Sequence, residues 1–391
     1  MHIALLCPVL PPTVDGIGDH TYFLAAALAE RVPVTVLTGD GNSHCPPGCT
    51  LRTGVFQPGR RFVESLGNAL AAVRPDWLIV QYNPFLYSRR GFNPWLPLAL
   101  ARARSRTAGL GIGLIAHELY MQPENLKFAV LGAGHRLQLR LVAPSVDLAF
   151  GSIDAWTQNL RPFLPGRPLA TLPVGSNIPP VPFSEAERQA LRTQLGIAPR
   201  TLVLGSFGSW HYGRMPERLA KTFHHLHAQG EDVHLLFIGS GGERFREICS
   251  PDLLSRLTVT GTLTSDAVSR HLQLVDLLLS PFLDGISSRR SSAVSCLAHG
   301  LPLLTTSGRL SDALWVNTLA DQLIPVDDEQ AFLRAALHLC RSSDARRTLA
   351  RHGQEFYGQH LSWERICSLL LDALTSTRSR SRTGQPDGAL R

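Results

Sequence analysis

Leu277-Leu-Leu-Ser280, Pro281-Phe-Leu-Asp-Gly-Ile-Ser-Ser-Arg-Arg290, Ser291-Ser-Ala-Val-Ser-Cys-Leu-Ala-His299 and Gly300-Leu-Pro-Leu-Leu-Thr-Thr306 form one continuous stretch whose pattern decides how this chain folds. An apolar run, a polar loop, a helical pattern and a second apolar run predict strand, loop, helix, strand. Gly285 permits a tight turn, and Ser287, Ser288, Ser291 and Ser292 offer hydroxyls and helix caps. The first turn of the following helix is expected to present unpartnered backbone N–H groups, and such an end attracts anions. Arg289 and Arg290 stand beside it, and guanidinium forks suit the paired oxygens of a diphosphate. The stretch therefore predicts a diphosphate cradle, although the loop taken alone fits a solvated turn before an ordinary capped helix equally well.

Outward from this stretch the second half repeats the pattern. Apolar runs at Leu202 to Ser206, Val233 to Ile238, Leu257 to Thr260 and Leu301 to Thr305 alternate with helical segments. Runs apolar on both faces and interleaved with helices imply a parallel sheet covered on both sides, with ligands outside the carboxyl ends of its strands. Those ends carry Phe207-Gly208-Ser209-Trp210-His211-Tyr212-Gly213-Arg214, Gly239-Ser-Gly-Gly242, Gly261-Thr262-Leu263-Thr264 and the Ser-Arg loop. Each could be a simple turn; on one sheet edge they describe a nucleotide-sized pocket.

The first half has the same organisation. Ile3 to Cys7 leads through Pro8 to Pro12 into Asp15-Gly16-Ile17-Gly18-Asp19-His20, and a helical pattern follows. The two glycines would let a phosphate or sugar approach the backbone, with Thr21 or Asp19 as helix cap, and a plain βα turn accounts for them as well. Strands at Val34 to Thr38 and Trp77 to Gln81, the second of these counted as the third strand, enclose a helix at Leu66 to Val73. His117 directly follows the apolar Gly113 to Ala116, so it stands at a strand's carboxyl end and is a candidate site residue, with Glu118 as an orienting neighbour.

At 391 residues, 44% of them apolar, the chain is long enough for about two globular domains. The proline-rich stretch from Leu164 to Arg200 marks the boundary. It divides the chain into an N-terminal domain (1–178), a linker (179–200), a C-terminal domain (201–355), a helix (356–374) that crosses back toward the first domain, and a disordered tail (375–391). No apolar run approaches the roughly 20 residues that span a bilayer, and the opening residues are expected to be a buried strand, not a signal peptide. Of the 38 basic residues only Lys127 and Lys221 are lysine, a skew that points to genomic composition and not to nucleic-acid binding. The seven cysteines form no CxxC or zinc spacing, so no metal site and a reducing cytoplasm are expected. Trp95 to Arg106, with Arg136 and Arg140, fits either a buried helix with a solvated basic end or docking on an anionic membrane surface at the inner face of the cytoplasmic membrane.

The tandem βαβ halves, Gly16-Ile-Gly18, His117-Glu118 and the stretch from Asp284 to Thr306 with its Ala298-His-Gly-Leu-Pro together resemble a family 4 glycosyltransferase of the GT-B fold, over about Met1 to Leu374. The resemblance implies an α/β chain with two tandem Rossmann-like parallel-sheet domains facing each other across a cleft. It also implies a retaining, metal-independent enzyme with a nucleoside diphosphate sugar as substrate, no cofactor, and a glycan or lipid-linked acceptor. Carried over, Gly16, Gly18, Gly208, Gly239, Gly261, Thr262, Leu263, Ser287, Ser288, Ser291 and Ser295 would contact the donor, while His117, Arg214, Arg289 and Arg290 would act in catalysis. Arg214 takes the place of the family's phosphate-binding lysine, and Ser209 stands where the family has an arginine. Ser287 and Ser295 stand where it has two glutamates, and a subset of the family with a serine-arginine-arginine loop resembles this chain there. An epimerase acting on a nucleotide sugar and an inactive donor-binding partner subunit are the alternative functions.

Overall fold

The computed structural model describes residues 1–383, and all of its named strands belong to two parallel sheets. The chain divides into two units, the first formed by Met1–Gly175 together with the helix that starts at Trp363, the second by Ser176–Ser362. In the first unit, β1 (Ile3–Leu6), β2 (Val34–Leu37), β3 (Thr50–Arg52), β4 (Trp77–Tyr82), β5 (Gly111–Ala116), β6 (Leu148–Gly151) and β7 (Leu169–Thr171) pair in the order β3-β2-β1-β4-β5-β6-β7. In the second, β8 (Leu202–Phe207), β9 (Val233–Ile238), β10 (Leu257–Val259), β11 (Leu277–Ser280), β12 (Leu303–Ser307) and β13 (Leu323–Pro325) pair as β10-β9-β8-β11-β12-β13. Both are doubly wound orders, reversing between β1 and β4 and between β8 and β11, and such a reversal opens a crevice at the strands' carboxyl ends.

The apolar runs behave as two-faced strands. Leu277 and Leu279 of β11 enter one core layer and Leu278 the other, and in β12 Leu303 and Leu304 divide the same way. Alternate side chains of a strand point to opposite faces, so a run without polar residues can persist only where helices cover both.

Four expectations need correction. Trp77–Tyr82 is the fourth strand, because the three-residue edge strand β3, too short and exposed to show an apolar pattern, precedes it. The 179–200 segment is built into the second unit and is not a free linker. Ser184 and Glu187 form a capping box for the Glu185–Gln194 helix, Arg192 donates to the Thr201 carbonyl at 2.6 Å, and Ile197 enters the core. The helix expected over 356–374 begins at Trp363, after a π-turn at Tyr357–Leu361, and runs to Thr383. It therefore covers part of the stretch expected to be disordered, whose remainder, 384–391, lies outside the described residues. Ile366, Cys367, Leu370 and Leu374 of this helix are buried in the core of the first unit, against residues of β1, β2 and β4.

Candidate functional site

In the second unit the crevice between β8 and β11 is built by the loops that follow those strands. Gly208, with φ +122, follows β8, and a Cβ there would lie 2.4 Å from Nη2 of Arg214, so only glycine lets that guanidinium lie against the backbone. Arg214 is fixed at both ends of its fork: Nη1 donates to the Phe207 carbonyl at 2.7 Å and Nη2 to Ser292 Oγ at 2.9 Å. Burial brings its pKa down to about 10, which leaves it protonated at neutral pH. Its Cζ lies 5.4 Å from the centroid of the Phe282 ring, and Cζ of Arg290 lies 4.5 Å from the same ring. One aromatic ring thus gathers two cations at the reversal of the sheet.

Arg289 parts company with its neighbour. Its Nη2 stands 3.8 Å from Asp284, whose other carboxylate oxygen accepts from Arg309 at 2.7 Å. Arg290 therefore shares the Phe282 ring with Arg214, while Arg289 is turned toward Asp284. Gly285 makes the expected turn, with φ +82 and a would-be Cβ 2.2 Å from the Gly308 nitrogen. The helix N-terminus is less open than predicted: no side chain caps Ser291–Ala298, but the Ser291 amide bonds the Arg289 carbonyl, and the Ala293 and Val294 amides bond that of Arg290.

The serines divide by burial. Ser288 and Ser295 have structural partners: Ser288 accepts from Trp315 Nε1 at 3.1 Å, and Ser295 accepts from Ser176 at 3.0 Å. Ser287 is fully buried with no hydrogen-bond partner for its hydroxyl among the described residues. Ser291 is partly exposed and Thr262 exposed, while Leu263 packs against the core. Gly239 and Gly261 pair in an isolated bridge that draws the loops after β9 and β10 together. Phe282 and Ser292, which hold the two arginines, were not singled out for those roles in the sequence. Phe282 lies two residues beyond the strand at the reversal, and that position is the only signal that marks it.

In the first unit the crevice between β1 and β4 has a different character. Gly16 and Gly18 are not a loop but the first turn of the Gly16–Ala29 helix. Its cap is Asp15, not Thr21 or Asp19: the Asp15 carboxylate accepts from the Ile17 amide at 2.9 Å and from the Gly18 amide at 2.8 Å. Those donors already hold an anion of their own, while Gly16 faces open space. His20 is buried, with neither ring nitrogen partnered among the described residues. Its ring meets that of His117 edge-on, centroids 4.9 Å apart, and Trp363 lies on another side at 5.3 Å.

His117 follows β5, where its amide continues the sheet by donating to the Tyr82 carbonyl at 2.9 Å. Its Nε2 lies 2.7 Å from Gln81 Oε1, an acceptor that places the proton on Nε2 and leaves Nδ1 as an acceptor. Burial pushes the His117 pKa down to about 4 and lowers that of His20 well below the usual value, with the charge of His117 a second, smaller cause for His20. Both rings are neutral at pH 7. Glu118 is exposed and accepts from Asn83 at 3.3 Å.

Residues 198–342 match the family model described as Glycosyl transferases group 1, a match confined to the second unit and covering less than half of the chain. No curated protein matches the chain. Among solved structures, it resembles sucrose-phosphate synthase from Thermosynechococcus elongatus with a TM-score of 0.72 at 17% identity, covering 97% of this chain and 99% of that one. It also resembles WaaG, a glycosyltransferase involved in lipopolysaccharide biosynthesis, with a TM-score of 0.65 at 16% identity over 95% and 99% of the two chains. HepE of Anabaena, solved with UDP and glucose, gives 0.66 at 15% identity over 96% and 100%. With the two doubly wound parallel sheets, these likenesses show the GT-B class of fold expected from the sequence.

Proposed function

We propose that this protein transfers a sugar from a nucleoside diphosphate sugar to an acceptor hydroxyl, with retention at the anomeric carbon and without a bound metal. The observation that carries the reading is the meeting of Arg214 and Arg290 on the Phe282 ring at the strand reversal of the second sheet. Two fixed guanidinium groups beside a helix start suit a diphosphate, and they are worth most where charge develops, on the departing phosphate oxygens. As the bond from the anomeric carbon to the diphosphate breaks, the leaving oxygen takes the acceptor's proton, and the acceptor oxygen bonds the same face of the sugar. Gly208, Gly239, Gly261, Thr262 and the Ser291 hydroxyl complete the donor contacts in this reading. In the first unit, neutral His117 offers a hydrogen-bonding group suited to a sugar hydroxyl. We place the reaction in the cytoplasm, which the free state of all seven cysteines supports.

An epimerase would need a free acid–base pair, and Asp284 is already engaged by Arg309 and Arg289. The fold shared with HepE makes uridine diphosphate the first nucleotide to test. At 100 times its dissociation constant a ligand should stabilise the folded protein by about 2.7 kcal/mol. A thermal-shift series over nucleoside diphosphates and their sugars, followed by product analysis with and without acceptor, tests the reading. No shift with any nucleotide refutes it, binding without transfer leaves an inactive partner subunit, and an altered donor sugar without acceptor identifies the epimerase.

A further inference from the structure

The Leu126–Val142 helix of the first unit carries an apolar stripe that the described residues leave uncovered. Leu126, Val130, Leu137 and Leu141 are 83%, 65%, 47% and 47% exposed. At about 100° per residue these four fall within about 60° of the helix circumference. The other side of the helix is buried through Gly132, His135, Gln138, Leu139 and Val142. Isolated exposed leucines are ordinary, but four large apolar side chains aligned on one stripe mark a contact surface.

The charges around the stripe identify its occupant. Lys127 and Arg140 are exposed and fall about 40° to either side of it. The helix contains no acidic residue, and neither does the Trp95–Arg106 helix packed against it, where Arg102 and Arg106 are exposed. A second copy of the chain docked stripe to stripe would set like charges against each other along this helix. Anionic headgroups above a layer of acyl chains complement both the stripe and its flanks.

We propose that the Leu126–Val142 helix docks on the surface of an anionic bilayer, with its leucine and valine side chains among the acyl chains and Lys127 and Arg140 at the headgroups. Among the described residues no helix is long and apolar enough to cross a membrane, so the contact is with the surface. In the neighbouring Trp95–Arg106 helix Leu96 and Leu100 are buried in the core, while Leu98, 49% exposed, stands with the exposed Arg102 and Arg106. The surface belongs to the first unit, whereas the proposed diphosphate site belongs to the second.

The test is co-sedimentation of the full chain with vesicles of phosphatidylcholine and phosphatidylglycerol in a 7:3 ratio, against pure phosphatidylcholine, at low salt. We expect the unmodified protein to bind the anionic vesicles at least tenfold more tightly. A Val130→Ser/Leu137→Ser variant should lose that binding about tenfold without any change of charge, and Lys127→Ala/Arg140→Ala should lose several-fold and show a weaker salt dependence. Both should keep their melting temperature, since the altered side chains are exposed. Equal binding to the two vesicle types, absence of binding, or a serine variant that binds as well as the parent would each overturn the proposal. So would a dimer, seen by light scattering, that the serine variant dissolves, since the occupant would then be a second copy. The experiment contains no nucleotide, and failure here leaves the donor reading intact.

Discussion

The crevices at the two strand reversals share a topology and differ in electrostatics. At the second sheet, two guanidinium groups converge on Phe282 and Arg214 keeps its charge despite burial. At the first, the helix start is satisfied by the chain's own Asp15, and the nearby rings of His20 and His117 are held neutral. A doubly wound sheet provides the place for a ligand, while the side chains on the first residues beyond each strand decide which ligand chemistry it accepts. The second crevice gathers positive charge, and the first does not.

The sharpest way to break this contrast is to remove the fixed cation. Arg214→Ala should lower turnover by about 10²- to 10³-fold, the range for loss of one preorganised donor, and should weaken nucleoside diphosphate binding in calorimetry. Arg214→Lys should recover little, because a single ammonium cannot reach the Phe207 carbonyl and Ser292 Oγ together. Unchanged diphosphate affinity in the alanine variant would move the anion site out of this crevice.

His117→Ala tests the other side. Turnover should fall about 10²-fold with little change in diphosphate affinity, as expected for a contact that strengthens only when the glycosidic bond breaks. A variant that is merely less stable, with normal turnover per folded molecule, would reduce His117 to a partner of Gln81.

The two adjacent arginines offer a finer test. Arg290→Ala should weaken diphosphate binding about tenfold, about 1.4 kcal/mol, and Arg289→Ala distinctly less, since Arg289 is turned toward Asp284. Equal losses would restore the pair as a joint cradle.

The smallest expected effect is on stability against pH. The folded pKa of His117, about 4, lies below the ordinary 6.5, so the unfolded chain binds more protons between those values. Its contribution is complete above pH 6.5 and is lost as pH falls toward 4, by on the order of 1 kcal/mol once screening at this partly exposed ring is allowed for. Melting temperature followed from pH 7 to 4 should fall less steeply in His117→Gln. An unchanged slope would assign the pH response to other groups.

Much of this was legible in the sequence, for identifiable reasons. Leu277-Leu-Leu and Leu301-Pro-Leu-Leu lack polar interruptions, and such runs can be satisfied only in a sheet covered on both faces, so two parallel sheets followed from composition and order. The place of His117 followed too, because a residue just past a parallel strand is delivered to its carboxyl edge, whereas Arg214, in the Tyr212–Arg214 turn well beyond β8, was marked by the family resemblance. Short edge strands such as Thr50–Arg52 and Leu323–Pro325 stayed hidden, since three residues carry no measurable period.

Tertiary structure decided what local pattern does not encode. Which of two adjacent arginines joins Arg214 and which serines are sealed in the core both depend on neighbours distant in sequence. Phe282 draws Arg290 inward while Asp284 holds Arg289, and Ser176 satisfies Ser295 across more than a hundred residues. The sequence determined the elements and their edge because backbone hydrogen bonding and apolar burial act on runs of residues. The partners of single polar side chains were set only on packing, when burial made each one find a hydrogen bond or a charge from another part of the chain.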